Sequence, residues 1–136
     1  MNRILIAEDE PRIASFITKG LRAKGYQTTL TNNGVEVLSL VSNYNFDLLL
    51  LDVGLVDQDG LVVIKELRKQ GITFPIIVMT AGDDVQDQLI EVEGNADNYI
   101  PKPFSFQTLT DQITKLLYTN RANKRSQPPI PNILQK

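Results

Sequence analysis

The chain has 136 residues, 42% of them hydrophobic, which suits one domain with a proper core plus a tail and is too little for two domains. It has neither cysteine nor histidine, which excludes disulfides, thiolate metal sites, thiol nucleophiles, imidazole ligands and Ser-His-Asp machinery. The net charge of −2 hides an asymmetry: Arg121, Lys124, Arg125 and Lys136 give residues 119–136 a charge of +4 and leave −6 on residues 1–118. An acidic domain does not read as a nucleic-acid binder. No apolar run approaches the roughly 18 residues of a membrane span, and Glu8, Asp9 and Glu10 come too early for a signal peptide, so the expected location is the cytosol.

Taken in order, Arg3 to Ala7 reads as a strand, and Glu8-Asp9-Glu10-Pro11 places acids and a proline where a helix begins. Ile13, Phe16, Ile17 and Leu21 recur at helical spacing through residue 24, and Gly25 ends that helix. Tyr26 to Thr31, rich in threonine, suggests a strand near a sheet edge. Asn33-Gly34 is as good a hairpin signal as a helix start; a helix over Val35 to Val41 is the reading taken. Asp47-Leu-Leu-Leu-Leu-Asp52 is a third strand, apolar enough to be buried on both faces.

Val53 to Gly60 reads as a loop carrying Asp57, Asp59 and two glycines, and Leu61, Ile64 and Leu67 as a helical stripe closed by Lys69-Gln70-Gly71. Residues 75–79 form a fourth strand opened by Pro75. Ala81-Gly82-Asp83-Asp84 follows as loop and cap before a polar helix over about 84–93. Asn98 to Ile100 is a short fifth strand, Pro101-Lys102-Pro103 a turn, and Phe104 to Tyr118 a last helix with Phe106, Leu109, Ile113, Leu116 and Leu117 inward. Beyond it Ser126-Gln-Pro-Pro-Ile-Pro131 cannot pack a core.

Five strands alternating with five helices argue for an α/β fold with a parallel sheet covered on both faces. In such sheets ligands bind outside the carboxyl ends of the strands. Those ends deliver Glu8 and Asp9, then Asp52, then Thr80, then Lys102. Singly, each has an ordinary reading: a carboxylate after a strand is usually a cap or turn, a threonine a cap, a lysine a surface charge and Tyr99 a half-buried strand residue. As a set they differ. Converging carboxylates repel unless a cation is present, and Mg²⁺ suits one or two carboxylates, a backbone carbonyl and several waters. Lysine and threonine would meet phosphate oxygens, and an aspartate can be the nucleophile that becomes an aspartyl phosphate.

The residues Ile4-Leu-Ile-Ala-Glu-Asp9, Leu48-Leu-Leu-Leu-Asp-Val-Gly-Leu55 with Asp59-Gly60, Pro75-Ile-Ile-Val-Met-Thr-Ala81 and Ala96-Asp-Asn-Tyr-Ile-Pro-Lys-Pro-Phe104 together give a chain that resembles the receiver domain of bacterial two-component response regulators over about residues 2–118. The resemblance implies a flavodoxin-like three-layer sandwich, strand order 2-1-3-4-5, with residues 1–120 as the receiver and 121–136 as a basic, proline-rich linker or disordered tail. It makes Asp52 the phosphoacceptor, places Glu8 and Asp9 in the acidic pair that holds Mg²⁺ with Asp52, and adds the backbone carbonyl of Gly54. Thr80 would reach the phosphoryl oxygens, Lys102 would bridge to the same group, Tyr99 would turn inward on activation, and the Lys102–Pro103 bond would be cis.

Val56 stands where the family pattern has proline, and Gly54 and Gly82 are bare where side chains could flank the phosphoryl group. The implied partner is a sensor histidine kinase or phosphotransfer protein, since this chain has no histidine to donate a phosphoryl group. The readout surface would be the polar helix over about 84–93, the fifth strand and the last helix, and the same face could pair two copies. The chain would catalyse its own phosphorylation and dephosphorylation and would not be a turnover enzyme. Two other readings stay open: a Mg²⁺-dependent phosphatase with an aspartyl nucleophile, against which Gly54 counts because it leaves no general acid two residues on, and a receiver-like docking module that is never phosphorylated. The tail is compatible with a linker to an output domain, for instance one that controls transcription, or with the end of a single-domain regulator.

Overall fold

A computed structural model describes residues 2–55, 60–80 and 95–126. Its five parallel strands are β1 (Arg3–Ala7), β2 (Gln27–Thr31), β3 (Leu48–Asp52), β4 (Ile76–Thr80) and β5 (Asn98–Pro101), in the order β2-β1-β3-β4-β5. This is the order the resemblance implies. Alternation along β3 sends its leucines to opposite faces. Leu49 and Leu51 pack with Leu5, Val78, Val37 and Ile64, whereas Leu48 and Leu50 pack with Ile6, Met79, Ile17 and Ile113. Two separate cores therefore share one strand, and nothing at 48–51 reaches solvent.

Among the described residues there are four helices, not the five expected: α1 (Pro11–Ala23), α2 (Gly34–Asn43), α3 (Gly60–Lys69) and α4 (Phe106–Ser126). The helix expected over about 84–93 lies outside the described residues, as do Val56, Asp57, Asp59, Gly82, Asp83, Asp84 and residues 127–136. Asn33-Gly34 opens a helix. The Asn33 side chain accepts a 2.7 Å hydrogen bond from the Glu36 N–H, and its φ of −144° excludes the left-handed turn a hairpin would need. Gly25 and Gly71, at φ 94° and 87°, end α1 and α3 in the left-handed conformation that glycine adopts without penalty.

Phe16, on the helical stripe of α1, is 47% exposed and meets Phe106 edge-to-face at 5.8 Å. Two details differ from the sequence reading. Gly60 is the first residue of α3, not part of the preceding loop. The last helix begins at Phe106 and runs past Tyr118 to Ser126. No helix among the described residues is long and apolar enough to cross a membrane.

Candidate functional site

The parallel register carries the strand ends to one place. Ala7 pairs with Leu51, Asp52 with Met79 and Thr80 with Pro101, so Glu8, Asp52, Thr80 and Lys102 emerge side by side at the carboxyl end of the sheet. Glu8 is 2% exposed, Asp52 8% and Thr80 1%. Carboxylate oxygens of Glu8, Asp9 and Asp52 all lie within 4.8 Å of one another. Such packing of acids is costly unless a cation compensates or one carboxyl keeps its proton.

Lys102 supplies a cation. Its Nζ lies 2.7 Å from Glu8 Oε1 and 3.2 Å from Asp52 Oδ2. The shorter contact, to Glu8 Oε1, is a charge-assisted pair in a site shielded from water. The lysine is aimed by β5, whose continuation ties Lys102 N–H to the Thr80 carbonyl at 2.8 Å, and the Lys102–Pro103 bond is cis, as expected. Burial pushes the Glu8 carboxyl above its ordinary value; Lys102 and the Glu10 N–H oppose this, and the Asp52 charge adds to it. Burial alone would lower the Lys102 ammonium, but Glu8 and Asp52 together outweigh it and leave Lys102 above its usual value. The ammonium therefore stays charged and the strain falls on Glu8.

Local backbone fixes the carboxylates. Glu8 Oε2 accepts from the Glu10 N–H at 3.0 Å, while Glu10 caps α1 by accepting from the Arg12 N–H at 3.2 Å. Asp52 Oδ1 accepts from the Gly54 N–H at 3.0 Å. Gly54 itself is exposed, and a side chain there would begin 3.6 Å from Asp52 Oδ1. Thr80 Oγ1 is buried with no hydrogen-bond partner among the described residues. An unpaired buried hydroxyl is costly unless something arrives to use it. Tyr99 is 43% exposed on the outer side of β5 and takes no part in the cluster.

Two contributors escaped sequence reasoning. Gly60 lets α3 start directly against the strand end, because a Cβ there would lie 2.7 Å from Val53 Cα and 2.9 Å from the Asp52 carbonyl oxygen. Glu10 was legible as a helix-start acid, but its N–H bond to Glu8 gave no signal. The cluster fits a hard divalent cation: its donors are all oxygen, three carboxylates share it, and Lys102 pairs with only two of them. Chemically it can hold such an ion beside a carboxylate nucleophile, with an ammonium and a spare hydroxyl to receive an anion.

Comparison with known proteins gives a consistent answer. Residues 4–114 match the family model described as the response regulator receiver domain. The transcriptional regulatory protein PcoR of Escherichia coli is 40% identical over 122 residues, covering 90% of this chain and 54% of that protein. The response regulator MprA of Mycobacterium leprae (strain TN) is 38% identical over 115 residues, covering 85% and 50%. The chain thus spans about half the length of the curated relatives it matches. Among solved structures, the receiver domain of the Francisella response regulator 1452 superposes with a TM-score of 0.82 at 31% identity, over 88% of this chain and 99% of that one. The response regulator TrrA of Thermotoga maritima, in complex with Mg(2+)-BeF, gives 0.78 at 34% identity, over 85% and 99%.

Proposed function

This chain belongs to the response regulator receiver domain family, and on that premise we propose that Asp52 accepts a phosphoryl group from a phosphohistidine on a sensor kinase or phosphotransfer protein. The observation that carries the proposal is the position of Asp52: a buried carboxylate 3.2 Å from the Lys102 ammonium and clustered with Glu8 and Asp9. An Asp52 oxygen forms the new O–P bond as the N–P bond of the donor breaks. The imidazole nitrogen leaves with the bonding pair and takes a proton from solvent.

Glu8, Asp9, Asp52 and the Gly54 carbonyl would hold Mg²⁺, which when bound neutralises charge on the transferred group. Lys102 keeps a positive charge beside Asp52 throughout and can follow the phosphoryl oxygens by giving up its contact with Glu8. Thr80 has a hydroxyl with no other partner among the described residues and can donate it to the same oxygens. The added charge of about −1.5 to −2 draws Thr80 and Lys102 toward residue 52 and leaves room for Tyr99 to turn from its exposed position. That inward turn is the switch, and it biases a two-state surface that a partner reads. Control of transcription through an output domain, as the name of PcoR implies for that protein, and a cytoplasmic setting both go with this reading.

Incubation with a small phosphodonor and Mg²⁺ tests the proposal. The parent chain should take up one phosphoryl group that chelation of Mg²⁺ prevents, and Asp52→Asn should take up none. Equal uptake by the parent and Asp52→Asn would remove Asp52 from the role.

A further inference from the structure

The two edges of the sheet are unlike. β5 is four residues long and contains Pro101, which has no N–H to offer. β2 is five residues, Gln-Thr-Thr-Leu-Thr, with no charge, no proline and an unbroken register against β1. It lacks the devices that usually blunt a free edge. The Gln27 N–H donates to the Asn2 carbonyl and the Thr31 carbonyl accepts from the Glu8 N–H, both at 3.0 Å. By alternation the backbone groups of Thr28 and Leu30 point the other way, to the open edge. They have no backbone partner among the described residues, and the Leu30 side chain is 45% exposed.

Hollows flank this strand on both sides. One of about 500 Å³ lies toward α2, beside Thr29, Leu40 and Tyr44. Two more, of about 410 and 360 Å³, lie toward α1 and share Pro11, Ala14 and Leu30, so they form one groove. That groove is charged oppositely at its ends. Lys19 and Arg22 stand at the Thr28 end, where Arg22 Nε donates to Thr28 Oγ1 at 2.8 Å, and Glu36 stands past Thr31 together with Glu8 and Asp9 of the carboxylate cluster.

We propose that β2 is a self-pairing edge, at which two copies of this chain join antiparallel about a two-fold axis through Thr29 to form one continuous sheet. Thr28 of each copy then faces Leu30 of the other, and the outward N–H and C=O groups of both are exchanged as ladder hydrogen bonds. Antiparallel pairing also turns the Lys19 and Arg22 end of one copy toward the Glu36 end of the other. Parallel pairing would set like charges together, and sliding the axis along the strand would pull the opposite charges apart. The contact is isologous and closes at the dimer. It lies at the opposite edge from β5, and its backbone pairing requires no phosphoryl group on Asp52.

Sedimentation equilibrium of the full chain should show a reversible dimer. Amide exchange followed by NMR should slow about tenfold or more at Thr28 and Leu30 as concentration rises through the dissociation constant, while the Thr29 amide, bonded toward β1, does not change. Glu36→Lys leaves the β1–β2 ladder untouched and should weaken the dimer roughly tenfold, with Lys19→Glu in the same chain recovering part of the loss. A chain that stays monomeric to millimolar concentration overturns the proposal and gives the edge to a foreign strand or to water. So does a dimer in which the Thr28 and Leu30 amides exchange at the monomer's rate.

Discussion

At the start of β4 and β5, Arg68 donates to the Asn95 carbonyl at 2.6 Å, to the Ile72 and Phe74 carbonyls at 2.9 Å and to Asp97 Oδ2 at 2.9 Å, while Asp97 Oδ2 also accepts from the Ile76 N–H at 2.8 Å. At the far end of the same strands one ammonium, Lys102, faces two carboxylates of a three-acid cluster, and Thr80 Oγ1 is buried with no hydrogen bond among the described residues. Both clusters are built around one cation. The first spends its bonding capacity on the chain itself and ties α3 to the sheet. The second keeps capacity in reserve, which is what a site for an incoming anion and metal needs.

Breaking the satisfied end should have the largest effect on stability. Arg68→Leu leaves three carbonyls and the Asp97 carboxylate short of a donor and should lower the unfolding free energy by about 2–3 kcal/mol in urea titration. Phosphate uptake by the folded fraction should be unchanged; a collapse of uptake would mean that the two ends are not separate devices. Lys102→Met should cost about 1–2 kcal/mol without Mg²⁺, because Glu8 and Asp52 lose the cation between them, and millimolar Mg²⁺ should restore part of it. Restoration in Lys102→Met but not in Arg68→Leu is the pattern that separates site from staple.

The sequence made the open end legible and left the closed end unseen, for a physical reason. Glu8, Asp9, Asp52, Thr80 and Lys102 each follow a short apolar run, so a parallel sheet must bring them together whatever the details of packing. Arg68 sits among ordinary helix-end cations, and its partners are mostly carbonyl oxygens, which carry no side-chain signature. Asn33-Gly34 was ambiguous because the same pair serves a left-handed turn and a helix cap; only the φ of Asn33 decides. Phe16 falls on the helical stripe but lies at its margin, half exposed beside Phe106. Gly60 looked like a turn residue, although its use is the close approach of α3 to the Asp52 carbonyl.

A smaller effect sharpens the contrast through pH. Because the Glu8 carboxyl is held above its ordinary value in the folded, metal-free chain, the folded state binds that proton more tightly than the unfolded state. Stability then falls as pH rises from the ordinary carboxylate value through the folded one. Glu8→Gln should remove that slope in pH-dependent urea titrations and make the metal-free chain slightly more stable above it, while weakening Mg²⁺ binding. An unaltered slope would move the strain to another group.

The most direct test of the open end is chemical. Phosphorylate the chain with a small phosphodonor and Mg²⁺, reduce the acyl phosphate with borohydride, and locate the homoserine by peptide mass spectrometry. The account predicts homoserine at position 52 alone. Homoserine at Asp9 or at any other aspartate, or none in a chain that has taken up phosphate, would contradict it.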